Sequence, residues 1–164
     1  VMVIAPEAPS RFYLGSDYGR VGASWMTKRN READINDLTA YLDKVFDSVF
    51  SRFGCGTETQ FNFLGFSQGV PVLCRWLHTK SVQPGKLILW AGSVPHDMPL
   101  AELKMLLSRG KSYLVYGTED EYLTMLKPGE IEKTVEEQQL PVQLKTFTGG
   151  HTIHAELLSA ISKE

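Results

Sequence analysis

Three residues of this chain could together perform nucleophilic chemistry: Ser67, Asp120 and His151. A serine hydroxyl is a poor nucleophile at neutral pH unless a histidine accepts its proton. The histidine in turn needs a carboxylate that fixes its tautomer and stabilises the imidazolium. Serine, acid and histidine follow one another here in one of the chain orders in which this triad occurs. The residue types and their order therefore predict a serine nucleophile, a histidine base and a supporting acid, with Ser67, His151 and Asp120 as the candidates.

Ser67 lies at the centre of a Gly-Phe-Ser-Gln-Gly pentapeptide, residues 65–69. The pentapeptide matches the nucleophile elbow, a sharp and strained turn from a strand into a helix. We expect both of its glycines to leave room for the strand and the helix to approach. The backbone N–H of Gln68, at the start of the helix, is predicted to stabilise negative charge on a substrate carbonyl. The alternative interpretation is a glycine-bounded turn with an incidental serine.

The supporting acid is expected in a loop after a later strand. Asp120 follows a predicted strand that ends at Tyr116, which is the expected position. Glu119 and Glu121 flank it and compete for the same role, and an acidic run after a strand is usually a solvated loop. Loop position alone therefore leaves Asp120 as one of three acids.

The histidine is expected between the last strand and the last helix. His151 follows Gly149 and Gly150, which allow a tight turn that could reach back toward Ser67. His154 is the alternative base, but we expect it to lie already within the last helix. The two histidines could also suggest a metal pair, yet no Cys, Asp or third His stands at a matching spacing, so we expect no metal site.

The elements that must position these residues alternate along the chain. An amphipathic helix is predicted at 35–50, where apolar residues recur every three or four positions. Strands are predicted at 60–66, 86–90, 112–116 and 142–146, and helices at 70–78, 100–107, 131–138 and 153–161. Strands separated by helical crossovers indicate an α/β fold with a mainly parallel sheet and helices on both faces, in one domain over residues 1–164.

The first 31 residues do not show this alternation of strands and helices. An apolar run at 1–5 ends at Pro6 and predicts a buried strand. Residues 7–31 lack sustained periodicity and predict a long loop, of the kind that is often functional. Within this loop Trp25 and Met26, together with Phe66 in the pentapeptide, could line an acyl pocket. They could equally be ordinary core residues.

Composition excludes several classes of function. The 164 residues are 43% hydrophobic, and Lys plus Arg number 17 against 19 for Asp plus Glu, which does not suggest a nucleic-acid binder. No apolar stretch approaches the roughly 18 residues that a membrane span needs. The first residues lack a signal-peptide pattern, so we expect a cytoplasmic protein. A small or neutral substrate fits this charge balance.

The motifs together resemble the phospholipase/carboxylesterase branch of the α/β hydrolases, which includes acyl-protein thioesterases. The pentapeptide 65–69 is identical to the usual form in that branch. The other similar segments are Ala5–Pro9, Trp25, Gly92–Pro95, Gly117 with Asp120, and Gly150 with His151. The resemblance runs along nearly the whole chain.

The resemblance implies a serine carboxylesterase-type hydrolase that uses no cofactor. Its substrate would be a small-molecule ester or thioester, or an acylated lipid or protein. Among the three acids it favours Asp120, and it implies the α/β-hydrolase fold.

The chain departs from the family at its start. The family begins with additional strands and a His-Gly-x-Gly type of loop that supplies a second oxyanion donor, and nothing here corresponds to them. We therefore expect that this sequence lacks its natural N-terminus, and the second donor stays unnamed. The departure also motivates a second hypothesis, a non-catalytic binding module or inactive fragment with the same fold.

Overall fold

Residues 1–122 and 129–164 are described by a computed structural model. Within these residues the chain divides into two units, Val1–Thr59 and Gln60–Glu164. The interpretation of residues 1–164 as one domain stays a prediction.

The first unit contains a hairpin and a long helix. Strands β1 (Ser10–Leu14) and β2 (Arg20–Ser24) pair antiparallel, and helix α1 spans Arg31–Arg52. Leu38 and Leu42 are its buried residues. Acidic side chains in its first turn and Arg52 in its last turn suit the helix dipole. The helix predicted at 35–50 is confirmed.

Two predictions for the start of the chain are wrong. Residues 1–5 form no strand, and their apolar side chains are exposed, because an apolar run becomes a strand only where another strand pairs with it. Residues 7–31 are not one long loop, since they contain the β1–β2 hairpin. The hairpin sequence shows no clear alternation of apolar and polar residues. Alternation arises where one face of a strand is buried, and here the apolar side chains of Tyr13 and its partner Val21 are both exposed.

The second unit contains the predicted parallel sheet. Its strands are β3 (Phe61–Phe66), β4 (Pro84–Trp90), β5 (Lys111–Gly117) and β6 (Gln143–Phe147), paired parallel in that order. Its helices are α2 (Gly69–Thr79), α3 (Leu100–Leu107), α4 (Glu130–Glu137) and α5 (Ala155–Lys163). All eight elements lie within a few residues of their predicted bounds.

Helices cover both faces of this sheet. Side chains alternate between the two faces of a strand, so Phe63 and Phe66 of β3 point in opposite directions. The Phe63 ring lies 5.6 Å from the ring of Trp76 in α2. Phe66 packs against a buried cluster that contains Trp90 of β4 and Ile161 of α5. The predicted arrangement, a mainly parallel sheet between helices, is therefore confirmed.

The carboxyl ends of these strands meet at one edge of the sheet. Register pairs Phe66 with Trp90, Trp90 with Val115, and Gly117 with Phe147. The loops that begin after β3, β5 and β6 therefore start at the same edge of the sheet. They carry the three residues for which the sequence predicts chemistry.

Candidate functional site

Ser67 lies in a strained turn between β3 and α2. Its φ angle is 52°, a left-handed value that costs a residue with a side chain on the order of 1–2 kcal/mol. Two main-chain hydrogen bonds hold it there: its N–H donates to the Trp90 carbonyl at 2.8 Å, and its carbonyl accepts from Val70 at 3.0 Å. The backbone thus has the conformation that a nucleophile elbow requires.

Only the first glycine of the pentapeptide is needed for the approach of strand and helix. A Cβ atom at Gly65 would lie 2.6 Å from the Gly69 carbonyl oxygen, far inside normal contact. A Cβ atom at Gly69 would meet nothing within 4 Å among the described residues. The expectation that both glycines provide this room is wrong for Gly69, because the chain has already turned into α2 there.

Asp120 is the acid that contacts the histidine. Its Oδ2 atom lies 2.8 Å from Nδ1 of His151, and its Oδ1 atom accepts a hydrogen bond from the Tyr122 N–H at 3.0 Å. The residue is buried, whereas Glu119 and Glu121 on either side are exposed. The loop therefore turns one of the three acids inward and leaves the other two at the surface.

The acid loop and the histidine loop are joined through their main chains. The Thr118 N–H donates to Phe147 at 2.9 Å, and the Glu119 N–H donates to Gly149 at 2.9 Å. A Cβ atom at Gly117 would lie 2.1 Å from the Gly149 carbonyl oxygen. The close approach needs a glycine on β5, and it brings Asp120 within reach of the imidazole.

The hydrogen bond to Asp120 determines how His151 can act. A carboxylate only accepts hydrogen bonds, so Nδ1 carries a proton, and in the neutral ring Nε2 then has the lone pair. Two aromatic rings lie close to the imidazole, with centroid distances of 4.8 Å to Phe66 and 4.5 Å to Tyr122. Phe66 directly precedes Ser67, so the ring of His151 packs against the strand end that carries the serine.

No hydrogen bond joins the Ser67 hydroxyl to His151 in the part of the chain that the structure describes. Catalytic hydrogen bonds are often long in free enzymes and shorten when substrate binds. The structure thus brings Asp120 and His151 into direct contact, and places the serine on the neighbouring strand end. The catalytic triad stays a prediction.

His154 has a different role from His151. It is the N-cap of α5, and its Nδ1 atom accepts a hydrogen bond from the Leu157 N–H at 3.3 Å. The expectation that it lies within the helix is wrong by one position. A histidine that caps a helix with Nδ1 is not arranged as a base toward Ser67, and the structure leaves His151 as the histidine paired with an acid.

Gln68 occupies the N-cap position of α2, with a helical φ of −57°. Its backbone amide therefore lies at the positive end of the helix dipole, next to the serine. Such an amide can stabilise an oxyanion. This role for Gln68 remains a prediction.

Two of the three predicted pocket residues belong to the first unit. The Trp25 ring lies 6.3 Å from the Tyr41 ring of α1. The Met26 sulfur accepts a hydrogen bond from Nη1 of Arg31 at 3.7 Å. Met26 is buried. The third, Phe66, contacts His151 as described above. A role in substrate binding stays a prediction for all three.

Residues 1–122 and 129–164 contain no group of three or more His, Cys, Asp or Glu side chains that could hold a metal ion. Across these same stretches, none of the helices has the length and apolar character that crossing a bilayer requires.

Two residues of the site were not identified from the sequence. Tyr122 donates its N–H to Asp120, and its ring lies 4.5 Å from the imidazole of His151. Asp side chains commonly accept a hydrogen bond from the backbone N–H two residues later in a turn. This preference is the sequence signal that could have identified Tyr122 as a partner of Asp120. Trp90 donates its indole N–H to the Thr152 carbonyl at 2.9 Å. A tryptophan at the buried end of a strand needs such an acceptor, and this need is the sequence signal for it.

No family model and no curated protein matches this sequence. Several solved structures are similar to this chain in fold. A carboxylesterase from Mesorhizobium loti aligns with a TM-score of 0.62 at 16% identity, over 87% of this chain and 70% of the other. A variant of SOBER1 from Arabidopsis thaliana aligns with a TM-score of 0.63 at 19% identity, over 96% and 79% of the two chains.

Acyl-protein thioesterase 2 from Zea mays is also similar, with a TM-score of 0.62 at 15% identity, over 96% of this chain and 77% of the other. Likeness at these identities concerns the fold. The chain has the α/β-hydrolase fold, as the motifs predicted.

Proposed function

We propose that this chain is a serine hydrolase that cleaves carboxylic esters or thioesters through an acyl-enzyme. The observation that carries the proposal is the 2.8 Å contact between Asp120 and His151 at the sheet edge where Ser67 lies in a strained turn. Each feature alone is common in proteins. Their combination on three loops at one edge is what acyl transfer by a serine requires.

In the first half of the reaction, His151 accepts the Ser67 proton on Nε2 as the serine oxygen attacks the acyl carbonyl. Asp120 holds the opposite ring nitrogen and stabilises the imidazolium that forms. Negative charge on the carbonyl oxygen is stabilised in part by the Gln68 N–H at the start of α2. Collapse of the tetrahedral intermediate expels the alcohol or thiol, protonated by His151, and leaves an ester on Ser67.

In the second half, His151 removes a proton from water, which attacks the Ser67 ester. The carboxylic acid leaves, and the proton returns to the serine oxygen. Every proton transfer uses Nε2, so the Asp120 contact at Nδ1 remains in place throughout.

The substrate is proposed by class. The solved structures with this fold include a carboxylesterase and an acyl-protein thioesterase, which supports an acyl substrate with an oxygen or sulfur leaving group. An acylated small molecule, lipid or protein fits this class. Phe66, whose ring lies beside His151, is proposed to contact the acyl chain.

The test is labelling by a fluorophosphonate probe, together with hydrolysis of p-nitrophenyl esters of increasing acyl length. The probe reacts only with an activated serine. The Ser67→Ala variant is expected to lose both labelling and at least about a thousandfold in kcat. The matched control is Ser81→Ala, which removes an exposed serine hydroxyl in the same unit and is expected to change neither. Undiminished turnover by Ser67→Ala would overturn the proposal.

A second candidate function is a non-catalytic binding module. It is favoured by the lack of a hydrogen bond between Ser67 and His151 within the described residues. Absence of labelling in a sample whose circular dichroism and thermal unfolding show a folded protein would favour this candidate over the hydrolase.

A further inference from the structure

Trp90 contacts both the turn that carries Ser67 and the loop that carries His151. It is the last residue of β4, and the paired strands β3 and β5 lie on either side of it. Its main-chain carbonyl accepts the Ser67 N–H at 2.8 Å. Its indole Nε1–H donates to the Thr152 carbonyl, directly after His151, at 2.9 Å. One residue thus holds the serine turn by its backbone and the histidine loop by its side chain.

The indole is itself held rigidly. Trp90 is fully buried, and it packs in a cluster with Val115 and Ile161, with its ring centroid 5.7 Å from that of Phe147. A side chain packed in this way has one rotamer, so the position of its N–H is set by the core. The histidine loop is exposed at Thr152, and the bond to the indole connects this exposed segment to the buried core.

The loop after Gly150 is short enough for this bond to position the imidazole. The Thr152 N–H donates to the Gly150 carbonyl at 2.9 Å, which closes a tight turn around His151. Because the turn is closed, fixing the Thr152 carbonyl also restricts the backbone of His151. The side chain of His151 is then fixed from the other direction by Asp120.

We infer that Trp90 is a positioning residue that sets the distance between His151 and Ser67. The inference rests on the proposed hydrolase function. It assigns the indole N–H a task beyond packing, which is to hold the base in place while Nε2 accepts and returns the proton. A loop displacement of about 1 Å can cost on the order of a hundredfold in rate, so the loss of this bond should be measurable.

The test compares Trp90→Phe with Trp76→Phe. Both changes remove an indole from a buried position in the same unit, but Trp76 lies in α2 on the other face of the sheet. We expect Trp90→Phe to lower kcat for p-nitrophenyl esters about ten- to a hundredfold, with KM within about twofold. Trp76→Phe is expected to leave kcat within about threefold of the wild-type value.

A spectroscopic measurement separates positioning from general destabilisation. The proton shared by His151 Nδ1 and Asp120 is expected to give a far-downfield ¹H NMR resonance in the wild type. It should broaden or disappear by exchange with water in Trp90→Phe and persist in Trp76→Phe. If Trp90→Phe does not fold, 3-benzothienylalanine at position 90 keeps the ring shape without the N–H donor and replaces it in both measurements.

The outcomes distinguish this inference from the proposed function. A folded wild type with neither labelling nor turnover means that the hydrolase proposal has failed. An active wild type whose Trp90 variants match Trp76→Phe in kcat and in the NMR resonance overturns the positioning role alone. Failure of the benzothienylalanine variant to fold also overturns it, since the N–H would then serve stability.

Discussion

The Asp120 carboxylate uses its two oxygens for different purposes. Oδ2 binds His151, and Oδ1 binds the Tyr122 N–H. The second bond prevents the carboxylate from rotating, because rotation would leave a buried oxygen without a donor. The orientation of the imidazole is therefore determined by a short local turn as much as by the pair itself.

We predict that Asp120→Asn lowers kcat on the order of a thousand- to ten-thousandfold while the fold is kept. An amide has nearly the same shape, but its NH₂ group can bind Nδ1 of His151 and so favour the tautomer that cannot act as a base. Steady-state kinetics with a p-nitrophenyl ester measures the effect. Glu121→Gln is the matched control, since it neutralises an exposed acid in the same loop, and its kcat should stay within about twofold.

If Asp120→Asn keeps kcat within about tenfold of the wild type, Asp120 is not the acid of the reaction. Equal losses in both variants would point to the charge of the loop as a whole.

The sequence predicts the serine and the histidine better than it predicts the acid. Gly65 and Gly69 lie two residues to either side of Ser67, and Gly149 and Gly150 directly precede His151. Such glycines mark tight turns, and the turns identify Ser67 and His151 as the residues that they present. Three acids follow β5 in a row, and which of them faces inward depends on backbone angles that residue type does not determine. Only the resemblance favoured Asp120, and the structure then shows it to be the buried one.

At the scale of the elements, the site depends on how closely α2 follows β3. The first turn of the helix packs directly against Gly65. A Cβ atom at this position would lie 2.8 Å from the Gly69 carbonyl carbon and 2.9 Å from Val70 Cα. These are backbone atoms, which cannot move away as a flexible side chain can. The elbow and the strand–helix contact are thus one structural feature.

We predict that Gly65→Ala lowers the free energy of unfolding by about 1–3 kcal/mol, because it overpacks a contact between backbones. The change should also move Ser67 and reduce fluorophosphonate labelling. Urea unfolding followed by circular dichroism gives the free energy. Gly69→Ala is the matched control: its Cβ meets open space, and alanine is favoured over glycine in a helix by about 1 kcal/mol. A loss of stability in Gly69→Ala as large as that in Gly65→Ala would contradict this account.

The predictability of the elements follows from their packing. Strands β4 and β5 and helices α2 and α3 each carry several buried apolar residues, and periodicity recovers them because burial selects the pattern. The β1–β2 hairpin has exposed apolar side chains, Tyr13 and Val21 among them, so its strands carry no such pattern. The apolar run at 1–5 has the composition of a strand but no strand pairs with it within the described residues.

At the scale of the whole molecule, the proposed chemistry lies within the second unit, Gln60–Glu164. Ser67, Asp120 and His151 all belong to it. Its stability therefore limits activity, whatever the first unit contributes. Measuring the link between this stability and activity requires a probe that reports only on the second unit. A buried thiol in α2 supplies such a probe.

Cys74 is fully buried in α2, and burial raises the pKa of its thiol from 9.0 to about 12. The raised pKa leaves little thiolate at pH 8, and the thiolate is the species that reacts with disulfide reagents. Cys55 in the first unit is half-buried. We predict that Ellman's reagent modifies one thiol rapidly in the native protein and the second only as fast as the second unit opens.

The assay is a time course at pH 8 with increasing urea, with Cys55→Ser and Cys74→Ser as matched variants. Cys55→Ser should show only the slow phase, and its rate should rise with urea in parallel with the loss of ester turnover. Cys74→Ser should show only the fast phase. Rapid modification of both thiols in the native protein would contradict a closed core around α2, whereas a slow phase that parallels inactivation would mean that opening of this unit and loss of the site are one event.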